Sequence, residues 1–296
     1  MRSGKVFKNL REERGVSQRK LTEGICARST LATFENEGSH LSVELCSKLL
    51  DRLNIHIDTY FSLISEDPNS KTAEFSAFKK SVSAEDIEEL QQKKQDYFTL
   101  YTSTRDFYWF NLYPHTERVI SQLTDSFTYE KFNQAHKRDI TTIKKYLNKV
   151  KNWGHFEFAV FSNSIWYFDL DFIRLIKKRL EKNDKTSVEE KKELYGSFLL
   201  NMSSYCLEYG HFELIEQLKE DLFELSSYEN IYWKTMASFQ LALAGELSDL
   251  PSASKEETLS HIRIYEQMDE EDHYQNMINY RKRLVEKHKK SRTSPP

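Results

Sequence analysis

The chain has 296 residues, of which 39% are hydrophobic and 30% are charged, and its formal net charge is −3. This apolar share is large enough for packed cores, so the composition excludes a disordered chain, and the length predicts two domains. No apolar run is long enough to span a membrane and the N-terminus lacks the apolar centre of a signal peptide, which predicts a cytoplasmic protein.

Two further counts narrow the fold class. Only 8 Gly and 5 Pro interrupt the chain, and because these residues mark turns, their scarcity favours long helices over short strands. The 3 cysteines are an odd number without CxxC spacing, so we expect reduced thiols rather than a disulfide framework or a zinc site. The prediction is an all-α fold without a metal or cofactor.

The first part of the chain carries a local excess of positive charge. Seven Lys or Arg residues face three Glu residues between positions 1 and 23. Contacts with DNA phosphates need such an excess, but a solvated helix face could show the same balance. Charge alone therefore leaves DNA binding and an ordinary polar surface as equal alternatives.

Helix signals follow one another closely from the N-terminus. Val6, Phe7 and Leu10 form the apolar face of a first helix, which Gly15 is placed to end. Ser17 is an N-cap residue and predicts the start of a second helix directly after it. This spacing leaves a short turn between the two helices.

The second helix runs from Gln18 toward Glu23 and buries Leu21, and Gly24 ends it. A third helix is predicted from Arg28 to Glu37, with Leu31 and Phe34 pointing inward. Four of its polar side chains are left facing outward, namely Arg28, Ser29, Thr30 and Thr33.

Two more helices complete the first sixty-odd residues. Ser42 caps the fourth, and the fifth spans residues 55–64. The core candidates of the fourth helix are its apolar residues, Val43, Leu45, Cys46, Leu49, Leu50 and Leu53. The sequence therefore predicts a five-helix domain over residues 1–65.

Three stretches of this domain carry a resemblance to a known family. LREERGVSQRKLTEGI, ARSTLATFENEG and LSVELCSKLLDRLNI together resemble the repressor (Xre) type of helix-turn-helix, most closely the N-terminal domain of Rgg-type regulators. A small helical bundle with polar faces is the alternative. Against it, the matches fall at fixed places over some sixty residues.

The resemblance implies roles for single residues. Gln18 would meet a DNA phosphate, with Arg19 in the basic stretch beside it, and the third helix would enter the major groove. Arg11 and Glu35 match a pair that forms an internal salt bridge in such repressors. The residues implied to face base edges and neighbouring phosphates are Arg28, Ser29, Thr30 and Thr33.

A polar stretch containing Pro68 predicts a linker at residues 66–71, followed by a helical domain at 72–290 and a disordered tail at 291–296. The helices expected after the linker are about 72–80, 84–100, 104–122, 128–151, 155–166, 168–182, 188–208, 212–225, 229–244, 255–269 and 272–289. So many consecutive helices favour a helical repeat.

An internal repeat supports this interpretation. Trp153-Gly154-His155-Phe156-Glu157 recurs as Tyr209-Gly210-His211-Phe212-Glu213, and Ala244-Gly245-Glu246 follows. The segments resemble the aromatic-Gly turn of tetratricopeptide repeats, in which Gly adopts the left-handed conformation. We predict degenerate repeats of this kind, and a structural rather than metal-binding role for His155 and His211.

Stacked helix pairs form a concave face that suits peptides or partner proteins. Counting back from Gly154 places Lys144, Asn148 and Asn152 on that side, and Asn amides can pair with any peptide backbone. Trp109 and Tyr113, four residues apart, could line the same pocket. A plain polar face explains these residues equally simply.

Taken over its full length, the chain resembles the Rgg (Rgg/MutR) family of bacterial transcriptional regulators. The resemblance implies a homodimer that binds promoter DNA at half-sites about 34 Å apart and senses a short signalling peptide, as in quorum sensing. The alternative is a scaffold or inhibitor that binds a protein partner through the repeats. An enzyme is not expected, because the chain contains no phosphate-binding loop, HExxH or GxSxG motif.

Overall fold

The computed structural model describes residues 2–64, 70–124, 126–183, 189–225, 231–248 and 255–293. Across these ranges every regular element is helical, which confirms the all-α prediction. The chain divides into two compact units, residues 1–86 and residues 87–296.

The described part of the N-terminal unit consists of short helices: α1 (Arg2–Glu13), α2 (Gln18–Thr22), α3 (Arg28–Glu37), α4 (Val43–Arg52), α5 (Ile57–Ile64) and α6 (Lys71–Ser83). The first five correspond to the five predicted helices. The sequence assigned α6 to the second domain, whereas it clusters with the first unit. Residues 66–69 of the predicted linker lie outside the described residues.

Local signals fix the ends of these helices. Ser17 and Ser42 each accept a hydrogen bond, 3.2 Å long, from the backbone N–H three residues ahead, as N-caps do. Gly15, Gly24 and Gly38 have φ of 64°, 72° and 70°, a left-handed conformation that only glycine adopts cheaply. The capping predictions are therefore confirmed.

The core of the N-terminal unit contains most of the predicted inward residues. Its buried side chains are Phe7, Leu21, Leu31, Phe34, Cys46, Leu49, Leu50, Leu53, Ile55 and Tyr60. Val43 was predicted to join them but is 62% exposed. Because it is the first residue of α4, directly after the Ser42 cap, it lies beyond the edge of the apolar face.

One close approach joins α1 to α3. A Cβ atom added at Gly4 would lie 2.1 Å from the backbone oxygen of Phe34 and 3.3 Å from the Cα of Glu35. Only a residue without a side chain fits here, so α1 packs directly on the backbone of α3.

The described part of the C-terminal unit contains α7 (Ile87–Thr104), α8 (Phe107–Leu123), α9 (Tyr129–Ala135), α10 (Lys137–Lys149), α11 (His155–Ser164), α12 (Leu170–Asn183), α13 (Glu189–Tyr209), α14 (Phe212–Gln217), α15 (Lys219–Leu225), α16 (Ile231–Leu247), α17 (Lys255–Gln267) and α18 (Glu271–Thr293). A 3₁₀ turn, Ile165–Tyr167, follows α11. One continuous cluster of buried residues runs from Phe110 on α8 to Leu284 on α18.

Two predicted helices are each divided in the structure. The predicted helix 128–151 breaks at His136, whose Nδ1 lies 3.0 Å from Asp139 Oδ2, and the predicted helix 212–225 breaks at Leu218. At the C-terminus, α18 continues to Thr293, into the stretch that the sequence assigned to a disordered tail. Residues 294–296 lie outside the described residues.

The repeated aromatic-Gly segments adopt different backbones. Gly210 has φ of 79°, as predicted, and ends α13. Gly154 is extended, with φ of −114°, and its N–H donates to Glu157 Oε2 at 3.0 Å. Gly245 lies inside α16, so the third predicted turn is wrong. The same residue pattern occurs at both turns because each turn joins two helices. Only the turn at Gly210 requires the left-handed conformation.

We expect Gly4→Ala to destabilise the N-terminal unit. Alanine improves helix propensity by about 1 kcal/mol, but its Cβ would collide with the Phe34 carbonyl, and overpacking of this kind costs about 1–3 kcal/mol. Thermal unfolding followed by circular dichroism measures the net change. Lys5→Ala, an exposed position on the same helix, is the control. Equal melting temperatures for the two variants would contradict the close approach.

Candidate DNA-binding and peptide-binding surfaces

A buried ion pair sets the position of α3 in the N-terminal unit. Glu35 accepts hydrogen bonds from Arg11 Nε and Nη2, each 2.7 Å long, and both side chains are almost fully buried. The bond to Glu35 raises the pKa of Arg11 above its ordinary value. The internal salt bridge that the resemblance implied is therefore confirmed.

Gln18 is the third member of this network. Its Nε2 donates to Glu35 Oε2 at 2.8 Å, so the first residue of α2 is tied to α3. An amide nitrogen carries two protons, and one of them remains for an external acceptor. Gln18, which is half-buried, thus ties α2 to α3 with one of its two amide protons.

Arg52 makes a further tie that sequence reasoning did not single out. From α4, its Nη1 donates to the backbone oxygen of Leu21 at 3.1 Å and also to that of Glu23. These carbonyls end α2, where helix carbonyls lack partners within the helix. The sequence signal for this contact was that Arg52 is a basic residue in the last turn of α4. Its partner Leu21 lies 31 residues away, so the signal does not identify the partner.

The predicted DNA-facing residues of α2 and α3 are largely accessible to solvent. Four of them are exposed, namely Arg19, Arg28, Ser29 and Thr30, and Thr33 is half-buried. The N-terminus of α3 follows Ala27, which provides no side-chain cap. The structure thus presents a polar helix face whose position the buried network fixes.

Two of the three residues predicted on the concave face, Lys144 and Asn148, have partners within the chain. Lys144 of α10 forms an ion pair with Asp169, and the Asn148 backbone oxygen and Oδ1 accept from Arg179 Nη1 of α12, at 3.0 and 3.3 Å. Asn152 is exposed but follows the end of α10 at Lys149, so it does not continue the helical stripe.

The two aromatic candidates lie against a different helix. The ring of Trp109 stacks on Tyr97 of α7 at 5.8 Å between centroids, and that of Tyr113 lies 5.3 Å from Phe98. The predicted peptide-binding residues therefore form two groups, one facing α12 and one facing α7. The structure does not bring all five together at one pocket.

A cavity of about 850 Å³ opens elsewhere, between α14, α15, α16 and α17. Its lining combines aromatic and aliphatic with charged or titratable side chains, including Phe212, Phe223, Leu241, Glu213, Lys219 and His261. None of the predicted residues lines it. The available signal was the set of small residues at the end of α16 and directly after it, Ala242, Ala244, Gly245 and Ser248, which leaves room that larger side chains would fill.

Among the described helices, none combines the length and the apolar composition that a membrane span requires. In the part of the chain that the structure describes, no group of three or more His, Cys, Asp or Glu side chains is arranged to hold a metal ion.

Family comparison matches both units. A family model described as "HTH-type transcriptional regulator Rgg, C-terminal domain" matches residues 85–279, which is more than half of the chain, and a helix-turn-helix model matches residues 7–60. The chain belongs to the Rgg family of transcriptional regulators. The resemblance inferred from sequence is confirmed, and this family is not one of enzymes. No curated protein matches the chain in sequence.

Solved structures share the fold of this Rgg-family chain at low identity. The SHP pheromone receptor Rgg2 of Streptococcus dysgalactiae is 20% identical, with a TM-score of 0.76 over 95% of this chain and 99% of that one. PrgX in complex with cCF10 is 18% identical, with a TM-score of 0.73 over 95% of this chain and 98% of that one. The receptor in a bacterial peptide pheromone/receptor complex is also 18% identical, with a TM-score of 0.74 over 96% of this chain and 98% of that one.

We expect Glu35→Gln to destabilise the N-terminal unit by about 3–5 kcal/mol, because removing one member of a buried ion pair leaves the other charge uncompensated. Denaturant unfolding measures the change. Glu37→Gln, exposed two residues later, should stay within about 0.5 kcal/mol of the wild type. The double variant Arg11→Met with Glu35→Met should recover much of the loss. An effect of Glu35→Gln as small as that of Glu37→Gln would refute the proposed network.

Proposed function

We propose that this Rgg-family regulator acts in the cytoplasm as a homodimer, binds promoter DNA through α2 and α3, and changes transcription when its C-terminal unit binds a short peptide. The observation that carries the DNA part is the contrast on α3. Glu35 near the end of the helix is fully buried and bonded, while Arg28, Ser29 and Thr30 in its first turn are exposed. A recognition helix needs this combination of fixed position and free polar groups.

The dimer is proposed from the size of this surface. The outward face of α3 offers a single arginine and several hydroxyl groups, which can discriminate only a few base pairs. Tight, specific binding therefore favours two copies at half-sites about 34 Å apart.

The peptide part is supported by the cavity between α14 and α17. Ligand sites of about 300–1,000 Å³ commonly combine apolar walls with a few polar groups, and this cavity has both the volume and the lining. Rgg2 and PrgX, whose folds resemble this one, are a pheromone receptor and the partner of cCF10 in a complex. A peptide would alter transcription only if it bound one arrangement of the dimer better than another.

A second candidate site for the peptide consists of Lys144 and Asn148 on α10, Asn152 just after it, and the pair Trp109 and Tyr113. Their intrachain bonds lie near the surface, so a ligand could exchange with them at modest cost. The rival function is a scaffold that binds a protein partner through the repeats. A steep loss of DNA affinity with salt, together with a sequence-dependent footprint, separates the regulator from the scaffold.

Arg28→Ala should weaken binding to the target promoter roughly 10- to 100-fold, because a side chain that reads a base edge contributes about 1–3 kcal/mol. The promoter is first recovered by genome-wide occupancy, and affinity is then measured by fluorescence anisotropy. Lys80→Ala, an exposed basic change on α6, should leave the affinity unchanged. If Arg28→Ala combined with Thr33→Ala keeps both the affinity and the site preference, α3 is not the recognition helix.

Ser238→Trp should abolish the response to peptide without affecting DNA binding, because the indole would fill the α14–α17 cavity from a half-buried position. Promoter occupancy is compared with and without the peptide fraction of a culture extract. Asn148→Ala is the matched variant for the α10 surface. Loss of response only in Asn148→Ala would move the site to α10. A wild-type protein that never responds would remove the peptide part and leave the DNA part standing.

A further inference from the structure

Arg118 on α8 is a buried guanidinium without an acidic partner. The residue is 8% exposed, and among the described residues no carboxylate forms an ion pair with it. The other two buried arginines among the described residues are both paired: Arg11 with Glu35, and Arg281 with Glu246. A buried charge is costly unless it is compensated, so an unpaired one requires an explanation.

The open part of the group is its Nε–Nη2 edge. Nη1 donates to Gln122 Oε1 at 2.7 Å, and Nη2 has only a long contact of 3.5 Å to His115 Nδ1. Nε is buried and has no hydrogen-bond partner. In Arg11 the same two nitrogens, Nε and Nη2, hold both oxygens of a carboxylate at 2.7 Å.

The surroundings of Arg118 leave one positive charge to be balanced. Burial and the Arg118 charge lower the pKa of His115 to about 3, so this imidazole is neutral near neutral pH. Burial raises the pKa of Tyr167 and of Tyr209, the phenols that act on the guanidinium, to about 12, so both stay protonated. One unpaired cation among neutral groups matches a monoanion better than a doubly charged phosphate.

There is room for a ligand at the same end of α8. A cavity of about 150 Å³ is lined by Ser121, one turn after Arg118, by Thr128, Lys131 and His136, and by Glu117, whose carboxylate is paired with Lys94. Phe132, which forms another wall, contacts Tyr167 at 5.1 Å between ring centroids. Arg118 does not itself line this cavity, but its neighbours on α8, Glu117 and Ser121, do.

We propose that the Nε–Nη2 edge of Arg118 receives the carboxylate of a ligand in a bidentate bond, like the bond between Arg11 and Glu35. The carboxylate belongs either to the C-terminus of a peptide or to a small organic acid. The site lies apart from the α14–α17 cavity and extends the proposed function, since it gives the C-terminal unit a group that recognises one chemical end of its ligand.

The first test compares Arg118→Met with Arg138→Met, an exposed change on α10, without any ligand. Methionine keeps the length of the side chain but removes an uncompensated charge, so Arg118→Met should melt at the same temperature as the control or higher. A melting temperature lower by about 5 °C or more would mean that the chain itself compensates the charge, and it would overturn the proposal.

The second test measures binding by the full chain and both variants. Probes are sodium acetate against sodium chloride at equal ionic strength, and pools of short randomised peptides with free or amidated C-termini. Preference for the free-acid pool, lowered about tenfold or more in Arg118→Met but not in Arg138→Met, assigns the site to a peptide terminus. Stabilisation by acetate alone, lost only in Arg118→Met, assigns it to a small acid. If no probe separates the wild type from Arg118→Met, the proposal fails.

Discussion

The carboxylate of Glu35 is the group around which the DNA-binding unit is arranged. It is fully buried and accepts three hydrogen bonds, two from Arg11 of α1 and one from Gln18 of α2. An ionised carboxylate is tolerated in a core only when its oxygens are satisfied, so α1, α2 and α3 must keep their relative positions. The missing side chain of Gly4 lets α1 come close enough for the pair to form.

Arg11 and Arg118 show two uses of one chemical group. The guanidinium of Arg11 donates through Nε and Nη2 to Glu35 of the same chain. This bond fixes the positions of α1 and α3 and leaves that edge of the guanidinium no role in binding a ligand. In Arg118 the corresponding edge is open, and the protein retains a charge that its own packing does not compensate. Sites that bind ligands commonly forgo stability in this way, because a fully satisfied group has nothing left to offer a partner.

The sequence was most informative where the governing forces are local. Caps and left-handed glycines act over three or four residues, which is why Ser17, Ser42 and Gly24 located their helices correctly. The prediction that Val43 belongs to the core was wrong because an apolar residue at a helix start does not have to face the core.

Long-range contacts explain the remaining differences. Gly154 and Gly210 stand in nearly identical segments, yet the extended backbone of Gly154 is bonded by Glu157, which Tyr146 also contacts through a 2.6 Å hydrogen bond. The bond between Arg179 and Asn148 spans 31 residues. No pattern within one helix specifies such a partner, so neither the candidate cavity nor Arg118 could be located from sequence.

The distribution of tryptophan residues makes intrinsic fluorescence specific to one unit of the molecule. All 4 tryptophans, at positions 109, 153, 166 and 233, belong to the C-terminal unit. Trp109 stacks on Tyr97, and Trp153 lies under the guanidinium of Arg179 with its Nε1–H bonded to the Leu147 backbone oxygen. Indole emission therefore reports on the C-terminal unit alone, so changes in that unit can be followed in an unlabelled sample without a contribution from the N-terminal unit.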